Sequence, residues 1–191
     1  MPKLVITSYH SAEFEELAAM LTVRGWEAVA TDPPAIPAAG EGKTHREQAL
    51  HRARQVATHT AQPTLAIATS LNVYALDQAP GLLTHVYAGA NATDAEHREK
   101  LLKVMVGVPP GQRIALFHAT AAIAYPDGRE VAASATLECE ITTAERGTGG
   151  FLFDAVVQVQ DRRTLAEMPD DERGRLGHRG MAVGQLLRRL G

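Results

Sequence analysis

Lys3-Leu4-Val5-Ile6-Thr7, then Ser11 through Leu21, then Trp26-Glu27-Ala28-Val29-Ala30: this opening stretch decides the fold. The first five residues are a short apolar run of the kind that forms a buried strand. Ser11 is placed to cap a helix whose apolar face is Phe14, Leu17, Ala18 and Leu21, at helical spacing. Gly25 ends that helix, and Trp26–Ala30 reads as a second strand. A strand, a helix and a returning strand in this order favour a parallel pair.

Working outward, Asp32-Pro33-Pro34-Ala35-Ile36-Pro37 is too proline-rich for helix and reads as a stiff loop. A helix is expected from Thr44 to about Thr58, and a short apolar strand from Thr64 to Thr69. Ala79-Pro80-Gly81 marks a turn. A third helix follows at about Asp94 to Val106, with Leu101, Leu102 and Met105 inward. Gln112 to Ala124 alternates as a long strand. Tyr125-Pro126-Asp127-Gly128 is a strong hairpin signal, with Glu130 to Ile141 returning. Phe153 to Val159 reads as a further strand, and helices near Leu165 and from His178 to Leu190 close the chain. The order implies a mixed α/β fold, one sheet with helices packed against it, in a single domain spanning 1–191.

Composition narrows the class. With 191 residues there is enough chain for one sizeable core. A net charge of -3 gives no general electrostatic reason to bind nucleic acid or an anionic membrane. No apolar stretch is long enough to span a bilayer, and Met1–Thr7 lacks the regions of a signal peptide, so a cytoplasmic protein is the default expectation. The single cysteine, Cys139, rules out an intrachain disulfide and a multi-cysteine zinc site. It sits among alternating residues and reads as a strand residue.

A second pair of segments concerns function. Arg146-Gly147-Thr148-Gly149-Gly150-Phe151-Leu152-Phe153-Asp154 is a glycine-rich bend that delivers an aromatic and a carboxylate, which suits a flat, hydrogen-bonding ring. Gly177-His178-Arg179-Gly180 opens the last helix with groups that suit a polar or anionic edge. Two blander readings stand beside these. Phe151 can be ordinary core, and His178-Arg179 can merely charge a helix end.

Taken with Gly42-Lys43-Thr44, Glu47, Ala49, Ala53 and Arg54, with Ala79-Pro80-Gly81 and Tyr87-Ala88-Gly89, and with Lys100-Leu101-Leu102, Arg113, Ala115, Phe117 and Pro126-Asp127-Gly128, these segments resemble the inosine triphosphate pyrophosphatase family over nearly the whole chain. That family cleaves inosine and xanthosine triphosphates to monophosphate and diphosphate. The resemblance implies an elongated α/β body with a long mixed sheet, two lobes and a central cleft, usually assembled as a homodimer. It implies that Phe151 stacks on the purine and that Asp154 lies beside the ring. It also implies that His178 and Arg179 contact the base and help exclude the exocyclic amine of adenine. Arg173 falls where the family has a ligand-contacting lysine. Stacking contributes on the order of 1–3 kcal/mol per base.

The phosphate half departs from the family. Where its first strand ends in Thr-x-Asn-x-x-Lys, this chain has Ser8, His10 and Glu13. Ser8 keeps the hydroxyl, but Glu13 reverses the charge that faces a triphosphate, a repulsion of about 4 kcal/mol at 4 Å near a surface before screening. The acidic pair that binds Mg²⁺ and activates water is replaced by Ile67 and Ala68. Neither offers the oxygen a hard cation requires, and neither takes a proton. Tyr74 stands where many members carry another aspartate. Glu41 is one residue away from the family's metal-binding glutamate, Arg52 replaces a lysine and Gln48 an asparagine.

The expected activity therefore divides. One expectation is a protein that binds a purine nucleoside or nucleotide, with no cofactor and no nucleic-acid or membrane partner, its Mg²⁺-dependent centre lost. Another is different chemistry in the same cleft through His10, Glu13 or Glu41. A third is an active pyrophosphatase with relocated ligands, which alone would require Mg²⁺, and a fourth is a ligand-free dimer partner. Glu47 and His51 share a helical face and are a weak additional acid–base or metal pair.

Overall fold

The computed structural model describes residues 1–8, 10–31 and 42–190. The proline-rich loop and Glu41 lie outside these described residues. The elements are β1 (Lys3–Thr7), α1 (Ser11–Thr22), β2 (Glu27–Ala30), α2 (His45–Thr60), β3 (Thr64–Val73), β4 (Pro80–Gly81), α3 (Asp94–Val104), β5 (Ile114–Ala124), β6 (Glu130–Ile141), β7 (Val157–Gln158), α4 (Asp170–Leu176) and α5 (His178–Arg188), with short 3₁₀ turns between. The sheet runs in the order β2-β1-β3-β5-β6-β7, and β4 pairs with β3. β1 is parallel to β2, with Val5 opposite Val29, and parallel to β3, with Ile6 opposite Leu65. β4 and β7 are antiparallel to β3 and β6. The fold is the mixed α/β class that the opening stretch implies.

Several expected boundaries move, each for a local reason. α1 is capped by His10, not Ser11, because the imidazole Nδ1 accepts from the Ala12 N–H at 3.2 Å. β3 extends to Val73, four residues beyond the apolar run. Its polar tail satisfies itself, Ser70 Oγ donating to Asn72 Oδ1 at 2.6 Å. The apolar run Phe153–Val159 is mostly turn, and only Val157–Gln158 pairs as strand. The residues at Leu165–Glu167 form a 3₁₀ turn, and α4 is a short, acidic-fronted helix absent from the sequence expectation. Of the three inward residues expected in α3, Leu101 and Met105 are buried and Leu102 is only half-buried.

The chain divides into two compact units. The first contains 1–68, 119–135 and 174–191. Its strands alternate cleanly. Leu4, Ile6, Leu65, Ile67 and Ile123 pack with Leu17 and Leu21 of α1 and with Ala182, Val183 and Leu186 of α5. The opposite sheet face is almost all alanine: Ala68, Ala122 and Ala132 meet Ala49 and Leu50 of α2, and Ala66 and Ala124 meet Ala53 and Ala57. Small side chains on both partners bring α2 close to the sheet. A capping box, Thr44 with Glu47, starts that helix.

The second unit contains 69–118 and 136–173. Leu71, Val73, Leu101, Met105, Phe117 and Phe153 are buried there. Arg113 is 5% exposed, and its guanidinium donates to the carbonyls of Met105, Val108, Ile141 and Thr142. Four carbonyl acceptors thus compensate the removal of this cation from water. Cys139 lies in β6 as expected, and its thiol donates to the Ala115 carbonyl. No helix among the described residues is long and apolar enough to cross a membrane.

Candidate functional site

In the first unit, the end of β1 and the start of α1 carry a small polar cluster. Ser8 Oγ donates to Glu13 Oε2 at 2.6 Å and accepts from the His10 N–H. Glu13 is 5% exposed, so the carboxylate expected to oppose a triphosphate is turned inward onto the serine. His10 serves the helix as its cap. Sequence reasoning proposes His10 and Glu13 as reactive groups; Ser8 contacts the Glu13 carboxylate but only the backbone of His10, whose imidazole accepts from the Ala12 N–H. Beside them, Thr7 is buried and its hydroxyl has no hydrogen-bond partner among the described residues.

Ile67 and Ala68 are each 2% exposed and packed as hydrocarbon. The Ile67 carbonyl accepts from the Arg52 guanidinium, which also donates from Nε to the Gln48 carbonyl. A fixed cation therefore meets the strand at the position where the resemblance expects carboxylates holding Mg²⁺. These residues do not fit a hard divalent cation, which takes oxygen donors. Among the described residues no three His, Cys, Asp or Glu side chains converge as metal donors. The Glu47 carboxylate accepts from the Lys43 and Thr44 N–H groups, capping α2.

At the start of α5, His178 and Arg179 are both buried. Arg179 donates from Nε to Glu16 Oε2 at 2.7 Å, and its Nη1 lies 3.1 Å from His178 Nε2. A cation in the first turn opposes the helix dipole, and Glu16, which sequence reasoning did not single out, offsets it. Its signal is visible only in three dimensions, because 163 residues separate the partners. A buried ion pair is weak support for stability, since desolvation cancels much of its attraction.

In the second unit, the glycine-rich segment forms a tight bend. Gly149 N–H donates to the Ala166 carbonyl, and Asp154 Oδ2 accepts from the Phe151 N–H at 3.1 Å. A Cβ on Gly150 would fall 2.2 Å from Asp154 Oδ2, at a φ of 69°, so only glycine fits. Phe151 is 5% exposed and Asp154 is wholly buried. Arg173 packs on the same bend: a Cβ on Gly149 would lie 2.7 Å from its Nη1. Its Nη1 donates to the Met168 carbonyl and its Nη2 to Asp170, while its buried Nε has no acceptor among the described residues.

Leu152 is left-handed, with φ at 53°, a conformation that disfavours a side-chain-bearing residue by roughly 1–2 kcal/mol. Both of its peptide groups are held from α3. Its N–H donates to Asp94 Oδ2 at 2.9 Å, and its carbonyl accepts from Arg98 Nη1 at 2.9 Å. Arg98 Nε in turn lies 2.9 Å from Glu145. Between Asp94 and Arg98 on α3, His97 accepts at Nδ1 from the Ala88 N–H and meets the Phe153 ring edge-on at 6.0 Å. Burial holds the His97 imidazole below its ordinary pKa. Asp94, His97 and Arg98 were not among the sequence candidates, although Asp94 and Arg98 stand one helical turn apart.

Thr69 Oγ1, at the entry of the polar tail of β3, lies 2.9 Å from His85 Nε2. The turn bearing His85 is fixed by Thr84, whose hydroxyl accepts from the Leu71 N–H and donates to the Gly81 carbonyl. A hydroxyl within reach of an imidazole is a proton-transfer geometry.

Comparisons with known proteins agree with the motif resemblance. A chain 36% identical over 194 residues, covering 100% of this protein and 98% of the relative, is the dITP/XTP pyrophosphatase of Geobacter sulfurreducens. The dITP/XTP pyrophosphatase of Escherichia coli is 34% identical over 193 residues, covering 98% and 97%. Among solved structures, a HAM1 protein from Coxiella burnetii superposes with a TM-score of 0.83 at 32% identity, covering 100% of this chain and 98% of that one. The Ham1 family pattern matches residues 4–189, and the chain belongs to the Ham1 family.

Proposed function

We propose that this protein binds a purine nucleoside or nucleotide without the Mg²⁺-dependent centre that releases diphosphate. The single observation behind this is the middle of β3: two buried hydrocarbon side chains, Ile67 and Ala68, with the Arg52 guanidinium on the Ile67 carbonyl. Glu13, held on Ser8, adds negative charge at the end of β1 and disfavours a polyphosphate. The ligand-binding set in this reading is Ser8, Phe151, Asp154, Arg173, His178 and Arg179. Phe151 offers a stacking ring, and the buried Nε of Arg173 offers a donor in need of an oxygen. Fixed buried donors discriminate a 6-oxo purine from a 6-amino one, because the mismatched group loses about 1–3 kcal/mol. No catalytic step is assigned to a metal. The cytoplasmic setting, the homodimer and the lack of nucleic-acid or membrane partners belong to the same reading.

The test is calorimetric titration in chelator with inosine, inosine monophosphate and inosine triphosphate. The expected order is nucleoside or monophosphate tighter than triphosphate, unchanged by added Mg²⁺. Two outcomes would sink it: triphosphate bound tightest, or diphosphate released from inosine triphosphate with Mg²⁺ at ordinary enzymatic turnover. The second outcome belongs to an active pyrophosphatase, a reading favoured by the full-length similarity to dITP/XTP pyrophosphatases. Different chemistry on a nucleoside-like substrate is favoured by the Thr69–His85 pair. It predicts a product that disappears in His85→Ala.

A further inference from the structure

The geometry points to Asp94 and Arg98 as positioning residues: together they grip the Leu152 peptide from both ends, hold it left-handed, and so set where the Phe151 ring lies. This rests on the ligand-binding reading above, in which Phe151 is the stacking face. Leu152 is one of five described non-glycine residues with positive φ, and it lies inside the glycine-rich bend itself. A strained backbone persists only where its surroundings over-determine it, and such points concentrate at functional sites. Here the surroundings are one turn of one helix. Asp94 takes the N–H and Arg98 supplies a donor to the carbonyl, each at 2.9 Å.

The grip is itself anchored. Thr93 and Glu96 close a capping box at the start of α3, fixing Asp94 at its first position. Glu145 is the ion-pair partner of Arg98, 2.9 Å from its Nε, although that Nε makes no hydrogen bond among the described residues. On the far side of the bend, Asp154 takes the Phe151 N–H. The backbone on both sides of Phe151 is therefore fixed by side chains, while a glycine-rich segment alone would leave it free to sample many conformations. Ordering the aromatic before the ligand arrives removes an entropic cost from binding.

The experiment compares wild type, D94A and D94N by titration with inosine in chelator, alongside thermal melts. Both variants lose the charge at the helix start, but Asn keeps an oxygen that accepts from the Leu152 N–H. D94A is expected to weaken inosine by about tenfold or more, and D94N to stay within about threefold of wild type. Equal affinity of D94A and wild type overturns the proposal, as does D94N binding as poorly as D94A. If wild type binds no inosine, the ligand-binding reading has failed, and amide deuterium exchange over residues 147–154 decides the grip separately. Faster exchange there in D94A than in wild type and D94N supports it, and equal exchange in all three overturns it. Should D94A not fold, R98M removes the other hand of the grip, and unchanged inosine affinity or unchanged exchange in R98M counts against it.

Discussion

His97 shows how one buried side chain couples acidity to local structure. Its Nδ1 must be unprotonated to accept from the Ala88 N–H, and burial lowers its pKa from the ordinary value. In the unfolded chain the imidazole titrates near its ordinary value of about 6.5. Above that pH both states are neutral and the native contact is complete. As pH falls through about 6.5, the unfolded state takes the proton first, so stability declines until the native imidazole is also protonated. The melting temperature is therefore expected to drop between neutral and mildly acidic pH. His97→Asn, whose side-chain oxygen also accepts from an N–H, should flatten part of that slope. An identical pH profile in the variant would contradict the assignment.

Elements here are positioned by what their neighbours leave out. α2 meets the sheet through Ala49, Ala53 and Ala57 because Ala66, Ala68, Ala122 and Ala124 face it. At the start of α5, a Cβ on Gly180 would fall 1.9 Å from the Gly174 carbonyl oxygen, which is backbone and has little room to yield. Gly180→Ala is expected to destabilise the protein by roughly 1–3 kcal/mol, the range for inserting a methyl into a packed contact. Denaturant unfolding measures this, and a change below the error of the fit would refute the close approach. His178 and Arg179 immediately precede this glycine, so under the proposed binding reading ligand affinity should fall along with stability.

At the scale of the whole chain, the parts readable in the sequence were those with a local cause. Periodicity marked β1, α1 and β2, and Tyr125–Gly128 marked the hairpin with β6 at its true limits, Glu130–Ile141. The tail of β3 was not readable, because Ser70 and Asn72 interrupt the apolar pattern and satisfy each other only once the strand exists. The run after Phe153 misled because hydrophobicity reports burial, and these residues are buried in turns. The candidate site divides in the same way. Phe151, Asp154, Arg173, His178 and Arg179 were named from motifs. Glu16, Asp94 and Arg98 were not, because each acts on a partner at least 54 residues away.

The lone thiol gives the chain an internal clock. Cys139 is sealed in β6, its hydrogen is given to the Ala115 carbonyl, and burial pushes its pKa up to about 12. At pH 8 the reactive thiolate would be scarce even if reagent reached it. Alkylation in the native protein should therefore be negligible, and any labelling should report excursions that open the strand. In dilute denaturant the labelling rate should track the open population. A ligand that binds only the native form should slow it in proportion to occupancy. Rapid labelling of the native protein, or a rate indifferent to denaturant, would show that the thiol is not sealed. With one cysteine the readout is a single mass shift per chain, so the opening of this strand can be timed without introducing any probe.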